Sequence, residues 1–270
     1  MASFSDPPEQ ARRGFVPPQN EAERFLMTRV EELCRTAESR GFPRATGFLS
    51  DREQSLAWAA VCRAGCGCTR WEGGYPGAER RVLCIEPAGS WALEPVAALR
   101  IAAQGTPPPA HRDYLGALLG LGIQRTCLGD ILPDPDAAGV VYAFVLEDKA
   151  DFLAAELTQA GRCPVRAERC DAVPDRVLAA PERTLRQATV PSLRADAVLG
   201  AMMNTSRALA AGAIAAGRVE INHLPTGSVH APVYEGDVFT IRGKGRFALT
   251  ALPGRTKKDR QIIEFFQYQS

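Results

Sequence analysis

Long apolar runs are missing from this chain. No stretch approaches the roughly 18 consecutive apolar residues that a membrane-spanning helix needs, so such a helix is excluded. The start, MASFSDPPEQARRG, has no apolar h-region and does not read as a secretory signal. A cytoplasmic location is therefore expected, and with it eight cysteines in the reduced state. Histidine is scarce, with three residues, and lysine is outnumbered by arginine 4 to 28, a bias that base composition alone can explain. No C-x-x-C pair occurs. Cys62, Cys66 and Cys68 are spaced C-x₃-C-x-C with no histidine nearby, so buried or idle thiols are a better reading than a zinc site, and no metal is expected.

What is present is an ordinary globular composition, 46% apolar and 23% charged over 270 residues, enough for two or three small domains with real cores. The net charge of +1 hides an asymmetry. Residues 1–185 hold 21 Lys+Arg against 25 Asp+Glu, a balance of −4, whereas residues 186–270 hold 11 against 6, a balance of +5. A basic end of this kind is the electrostatic footprint of a nucleic-acid partner.

The basic end has a readable order. Ser192 can cap a helix that carries Leu193, Ala197, Val198, Ala201 and Met202 on one side at helical spacing. Thr205 or Ser206 starts a second helix, which runs through alanines to Gly217, a natural left-handed stop. Val219 and Ile221 alternate with Glu220 and Asn222 as in a half-buried strand. Gly236-Asp237 is a turn, and a strand from Val238 runs into Arg242, Lys244 and Arg246. Arg194 and Arg207 each sit at a helix start, where free backbone N–H groups and the helix dipole favour an anion, so the two starts make a phosphate-binding face.

Arg194, Asp196, Leu199, Ser206-Arg207, Ala210, Ile214, Gly217, Val219, Asn222, Gly236-Asp237 and Arg242-Gly243-Lys244 keep the order and spacing of an S4-type RNA-binding domain, which this stretch resembles. His223 departs from that pattern, since such domains usually have Gly after the Asn.

Earlier in the chain, residues 1–20 are polar and proline-rich, and disorder is expected at the tip. A helix starts near Asn20, presents Leu26, Val30, Leu33 and Ala37, and ends at Gly41-Phe42-Pro43. Ser50 and Glu53 form the capping box of a second helix that ends by Gly65. The loop Trp71–Pro76 offers aromatics either for stacking on RNA or for plugging a joint between modules, and the joint is favoured. Strands at 96–101, 129–132, 140–145 and 164–169 alternate with helices at 110–121 and 149–160, the order βαββαβ of a ferredoxin-like domain. The aromatic signature of an RNA-recognition motif is missing, so base stacking on this sheet is unsupported. His111-Arg112-Asp113 lies at a helix start without the other parts of a kinase, so His111 and Arg112 read as phosphate contacts or as local caps. Leu185–Val190 pairs as a further strand, and Arg183 and Arg186 extend the basic end. Lys257 and Lys258 stand in a charge run, 253–260, that is a solvated tip or, beside an RNA-binding module, a backbone contact.

The stretch HRDYLGALLGLGI (111–123), followed by Arg125 and Gly129-Asp130-Ile131-Leu132, is similar to the YlmH family of bacteria, and the similarity runs from about residue 20 to the end. The resemblance implies an α+β protein: an N-terminal helical module (1–77), a central ferredoxin/RRM-like βαββαβ domain (78–172) and a C-terminal S4 (alpha-L) RNA-binding domain (183–270). It implies structured RNA as the partner, large-subunit rRNA and peptidyl-tRNA on the large ribosomal subunit, in rescue and quality control of stalled ribosomes. RNA-binding residues are then expected at Arg194, Ser206, Arg207, Arg218, Asn222, Arg242, Lys244, Arg246, Lys257, Lys258, His111 and Arg112. Competing readings are an RNA-modifying enzyme with an S4 domain, or a cell-division or photosystem-assembly factor. The enzyme reading is weak. The G-R-L-D context of pseudouridine synthases is absent, and Gly116, Gly120 and Gly122 lie within or at the end of a helix, not in a cofactor turn after a strand. No catalytic residue, cofactor, small-molecule substrate or membrane partner is expected.

Overall fold

The computed structural model describes residues 17–179 and 184–268. The expected disorder at the extreme N-terminus and the contribution of Arg183 fall outside those residues. The chain divides into two compact units at residues 180/181.

In the first unit, α1 (Glu21–Arg40) starts where Asn20 accepts the Glu23 N–H at 2.9 Å and stops where Gly41 turns left-handed at φ +67°. α2 (Asp51–Ala64) begins with the Ser50–Glu53 capping box, the Ser50 N–H donating to Glu53 Oε2 at 2.7 Å. Between and after the helices run β1 (Arg44–Leu49), β2 (Thr69–Glu72) and β3 (Arg81–Ile85), an antiparallel sheet of order β1-β3-β2. The module is therefore α/β where the sequence suggested helices alone, and β3, which lies within the range 78–172 expected for the central domain, pairs into this first sheet. The reason is local. RATGFL and TRWE carry charge, a glycine and few apolar residues, so neither shows the alternation of a strand until β3 pairs with both.

The second sheet of this unit holds β4 (Val96–Ala103), β5 (Leu128–Pro133), β6 (Val140–Leu146), β7 (Gln159–Ala160) and β8 (Cys163–Cys170) in the order β5-β6-β4-β8-β7, every neighbouring pair antiparallel. α3 (His111–Gly120) follows β4, α4 (Glu147–Glu156) follows β6, and a short α5 (Asp175–Leu178) closes the unit. This is the βαββαβ order read from the sequence. α4 stops before the expected Ala160 because Gln159 and Ala160 pair with Cys163 and Pro164 instead. Leu99, Ile101, Ala143 and Val145 face the helices and bury Tyr114, Leu118 and Leu153. The alternate residue Phe144 faces the opposite way and is buried with Phe48, Val82 and Cys84 of the first sheet.

The second unit is one six-stranded sheet with a helix pair. β9 (Arg186–Val190) leads to α6 (Ala195–Met202) and α7 (Arg207–Ala215), then β10 (Val219–Ile221), β11 (Leu224–Pro225), β12 (Val238–Ile241), β13 (Gly245–Arg255) and β14 (Gln261–Gln267). The strand order is β11-β10-β12-β13-β14-β9. Val198, Leu199, Met202, Ala210 and Ile214 pack on Val219, Phe239, Ile241, Leu249 and Phe265, one core for helices and sheet. Ser192 is not the cap of α6. Arg194 stands at that position, and the first helical N–H groups, from Ala195 and Asp196, donate to the carbonyls of Ala231 and Val229 at 2.9 and 3.1 Å.

Candidate nucleic-acid interface

The two helix starts of the second unit are joined by one acid. Asp196, only 6% exposed, accepts Arg194 Nε on Oδ1 and Arg194 Nη2 on Oδ2, both at 3.2 Å, and Arg207 Nη2 on Oδ2 at 2.7 Å. Burial raises the Asp196 pKa, but the hydrogen bonds and charges of Arg207 and Arg194 outweigh it and hold the carboxyl below its ordinary value. Arg194 also touches Nδ1 of His230, an exposed residue on the loop before β12. The result is a cluster of two half-exposed arginines around one carboxylate, with a net positive charge. The start of α6 offers no free amide there, because residues 229–231 cover it. That corrects the expectation of two equivalent anion-binding helix ends. At α7, Ser206 is the cap, its Oγ accepting the Leu209 N–H at 3.3 Å, so its hydroxyl is engaged within the helix.

A second group lies at the strand ends. Arg242 N–H donates to the Arg218 carbonyl at 3.0 Å, which makes these two exposed arginines neighbours, with exposed Lys244 on the same turn into β13. Arg246 is partly buried, its guanidinium 4.5 Å from the centre of the Tyr268 ring, a cation–π contact. Lys257 and Lys258 are exposed at the tip of the β13–β14 hairpin, which Arg255–Asp259 and Arg260–Thr189 contacts brace.

Asn222 does not belong to an open surface. It is buried, donates through Nδ2 to Asp237 Oδ1 at 2.8 Å and accepts the Val238 N–H at 2.8 Å. Its amide holds the β10–β11 turn to the start of β12, a structural role beside the RNA contact expected from the sequence. Sequence could not separate the two roles, because the same amide suits either.

His111 and Arg112 lie in the first unit, both exposed in the first turn of α3. Arg112 is 90% exposed at its side chain, and Asp113 caps the helix by accepting the Ala110 N–H at 2.9 Å. The rest of the distinctive central stretch is internal. Asp130 accepts Tyr75 O–H at 2.9 Å and Glu79 N–H at 2.7 Å. Arg80 reaches the carbonyls of Leu128 and Phe48 at 3.0 and 2.9 Å, and Arg125 also bonds the Leu128 carbonyl. Tyr75 stacks on Phe144 at 4.9 Å between ring centres. The aromatic loop is thus the joint between the two sheets, and it covers the Phe144 part of the sheet face that an RNA-recognition fold would use for base stacking, while Arg100, Arg166 and Glu168 on that face stay partly exposed.

The cysteine run is not one cluster. Cys66 is buried in one core with Cys34 of α1, while Cys62 is exposed. Burial, then the neighbouring thiol of Cys66, pushes Cys34 up to about 12. Among the described residues no group of three or more His, Cys, Asp or Glu side chains is placed to hold a metal ion.

Residues 109–173 match a family model described as "Putative RNA-binding domain in YlmH". The ribosome-associated protein quality control protein P2 of Bacillus subtilis (strain 168) is 34% identical over 247 residues, spanning 90% of this chain and 94% of the relative. The chain belongs to the YlmH family. A solved structure, the cell division protein ylmH from Streptococcus pneumoniae, aligns with a TM-score of 0.49 at 19% identity, over 58% of this chain and 96% of that one. In this YlmH-family chain the matched region runs from the residues before α3 through β8 to the loop before α5, and Phe144 on its helix-free sheet face is buried.

Proposed function

We propose that this chain is a non-catalytic RNA-binding protein of the large ribosomal subunit, acting in quality control of stalled ribosomes in the cytoplasm. The observation that carries the reading is the 34% identity, over nine-tenths of both chains, with a relative named as a ribosome-associated quality control protein. The charge distribution supports it, since the excess of basic over acidic residues falls in 186–270. We read the second unit as an S4-type domain, because a helix pair followed by a small basic sheet matches that resemblance element by element. In it Arg194, Arg207, Arg218, Arg242, Lys244, Lys257 and Lys258 meet phosphate oxygens of rRNA and peptidyl-tRNA, and Arg246 adds charge at the edge. His111 and Arg112 serve the central domain, by charge and not by base stacking, because the aromatic signature for stacking is missing from its sheet.

Sedimentation tests the reading. The protein should run with large subunits in a sucrose gradient of stalled-translation lysate and move to the top after RNase treatment. A protein that stays at the top in every lysate contradicts ribosome binding. One that keeps its heavy partner after nuclease points to a protein scaffold instead. Incubation with RNA, with and without S-adenosylmethionine, should yield neither methylated nucleotide nor pseudouridine, and either product would overturn the non-catalytic reading.

A further inference from the structure

A buried acid is an unexpected neighbour for a polyanion. Asp196 subtracts a charge from the face proposed for RNA, yet it is 6% exposed and shared by two arginines from the starts of two different helices. Its own place is fixed, because its N–H donates to the Val229 carbonyl at 3.1 Å and its Cα lies in the first turn of α6. Arg207 keeps half of its side chain exposed and Arg194 more than a third, so each guanidinium still has donors facing solvent while one edge is held.

We propose that Asp196 is a positioning residue of the RNA site, holding Arg194 and Arg207 in the rotamers in which they grip the phosphate backbone. The inference rests on the reading of this face as the RNA surface. A long arginine that is free in solution loses rotamer freedom when it binds, whereas one already held by a carboxylate does not. The Coulomb effect of the acid on RNA runs the other way, since removing its charge makes the face more positive. The two effects have opposite signs, and binding measurements separate them.

The experiment uses the full chain, purified large ribosomal subunits as the probe, and a series of salt concentrations. Asp196→Asn raises the net charge from the +1 of the natural chain by one, yet it is expected to weaken binding on the order of tenfold, the effect of freeing two arginines. The slope of log affinity against log salt should stay as in the unmodified chain, because both arginines still neutralise phosphates. Binding as tight as or tighter than that of the unmodified chain would overturn the positioning role. Should Asp196→Asn fail to fold, NMR of the unmodified protein decides: the Nε–H of Arg194 and the Nη–H groups of Arg207 should exchange with water more slowly than the corresponding groups of exposed Arg242, and equal exchange would overturn the proposal. Arg194→Ala and Arg207→Ala separate this from the underlying reading. If both bind subunits as the unmodified chain does, the RNA face itself is wrong. If both weaken binding and Asp196→Asn does not, only the positioning role falls.

Discussion

Asn222 and His223 both lie in the left-handed region, at φ +50° and +62°, as the two central residues of the turn between β10 and β11. That is the geometry of a type I′ hairpin, whose second position favours glycine. A histidine there strains its Cβ, so His223→Gly should raise stability by about 0.5–1 kcal/mol in urea unfolding, after the greater freedom of glycine in the unfolded chain is subtracted. An unchanged or lowered midpoint would count against the strain. Asn222→Ala should do the opposite. It removes the partner of Asp237 and of the Val238 N–H inside the protein and is expected to cost about 2–3 kcal/mol in the same assay, while the folded fraction binds RNA normally. Asp196 carries a pH signature. Its carboxyl is below its ordinary value when folded, so its contribution to stability is full above the unfolded value near pH 4 and is lost as pH falls through the depressed folded value. Asp196→Asn should therefore flatten the acid limb of stability against pH, and a limb of unchanged steepness would show that other carboxylates govern it. At this scale the sequence showed which residue types stand where, but not burial. The sequence placed Arg194 and Arg207 at two helix starts, whereas their sharing of Asp196, and the contact with His230, 36 residues from Arg194, were not read from it.

Elements were largely legible where their own residues decide them. The caps at Asn20, Ser50 and Ser206 and the stops at Gly41 and Gly65 are local chemistry, and each stands where the sequence put it. β1 and β2 were not legible, because their pairing with β3 is long-range and their composition is that of a loop. The joint between the two sheets of the first unit was half legible: the aromatic loop suggested it, while Gly129-Asp130 and Arg125 gave no sign of serving it. A Cβ on Gly129 would come within 2.6 Å of the Phe48 ring. Gly129→Ala should thus push the sheets apart and cost about 1–3 kcal/mol, read as a lowered thermal midpoint. A variant as stable as the unmodified chain would mean that the ring moves aside freely. Arg125 belongs to the same joint, so its replacement tests folding and not the reach of an RNA site.

For the whole molecule, the proposed RNA grip falls in the basic second unit, and residues 1–185 carry no excess of basic charge. The hairpin tip tests how far that grip extends. Replacing Lys257 and Lys258 together by alanine should leave stability within about 0.5 kcal/mol, since both are exposed, and lower the salt slope of subunit binding by about two if each meets a phosphate. An unchanged slope would confine the site to the helix pair and the 242–246 turn. The most direct test of the central claim is Arg207→Ala, titrated against purified large subunits over a range of salt. Arg207 sits at the start of α7 with half its side chain open, and Arg194 still holds Asp196 when it is gone, so the fold should survive. Binding should be weaker at every salt concentration, and the slope of log affinity against log salt should fall by about one, because one phosphate is no longer neutralised. Unchanged affinity with an unchanged slope would contradict the claim, and the helix face would not be the RNA surface.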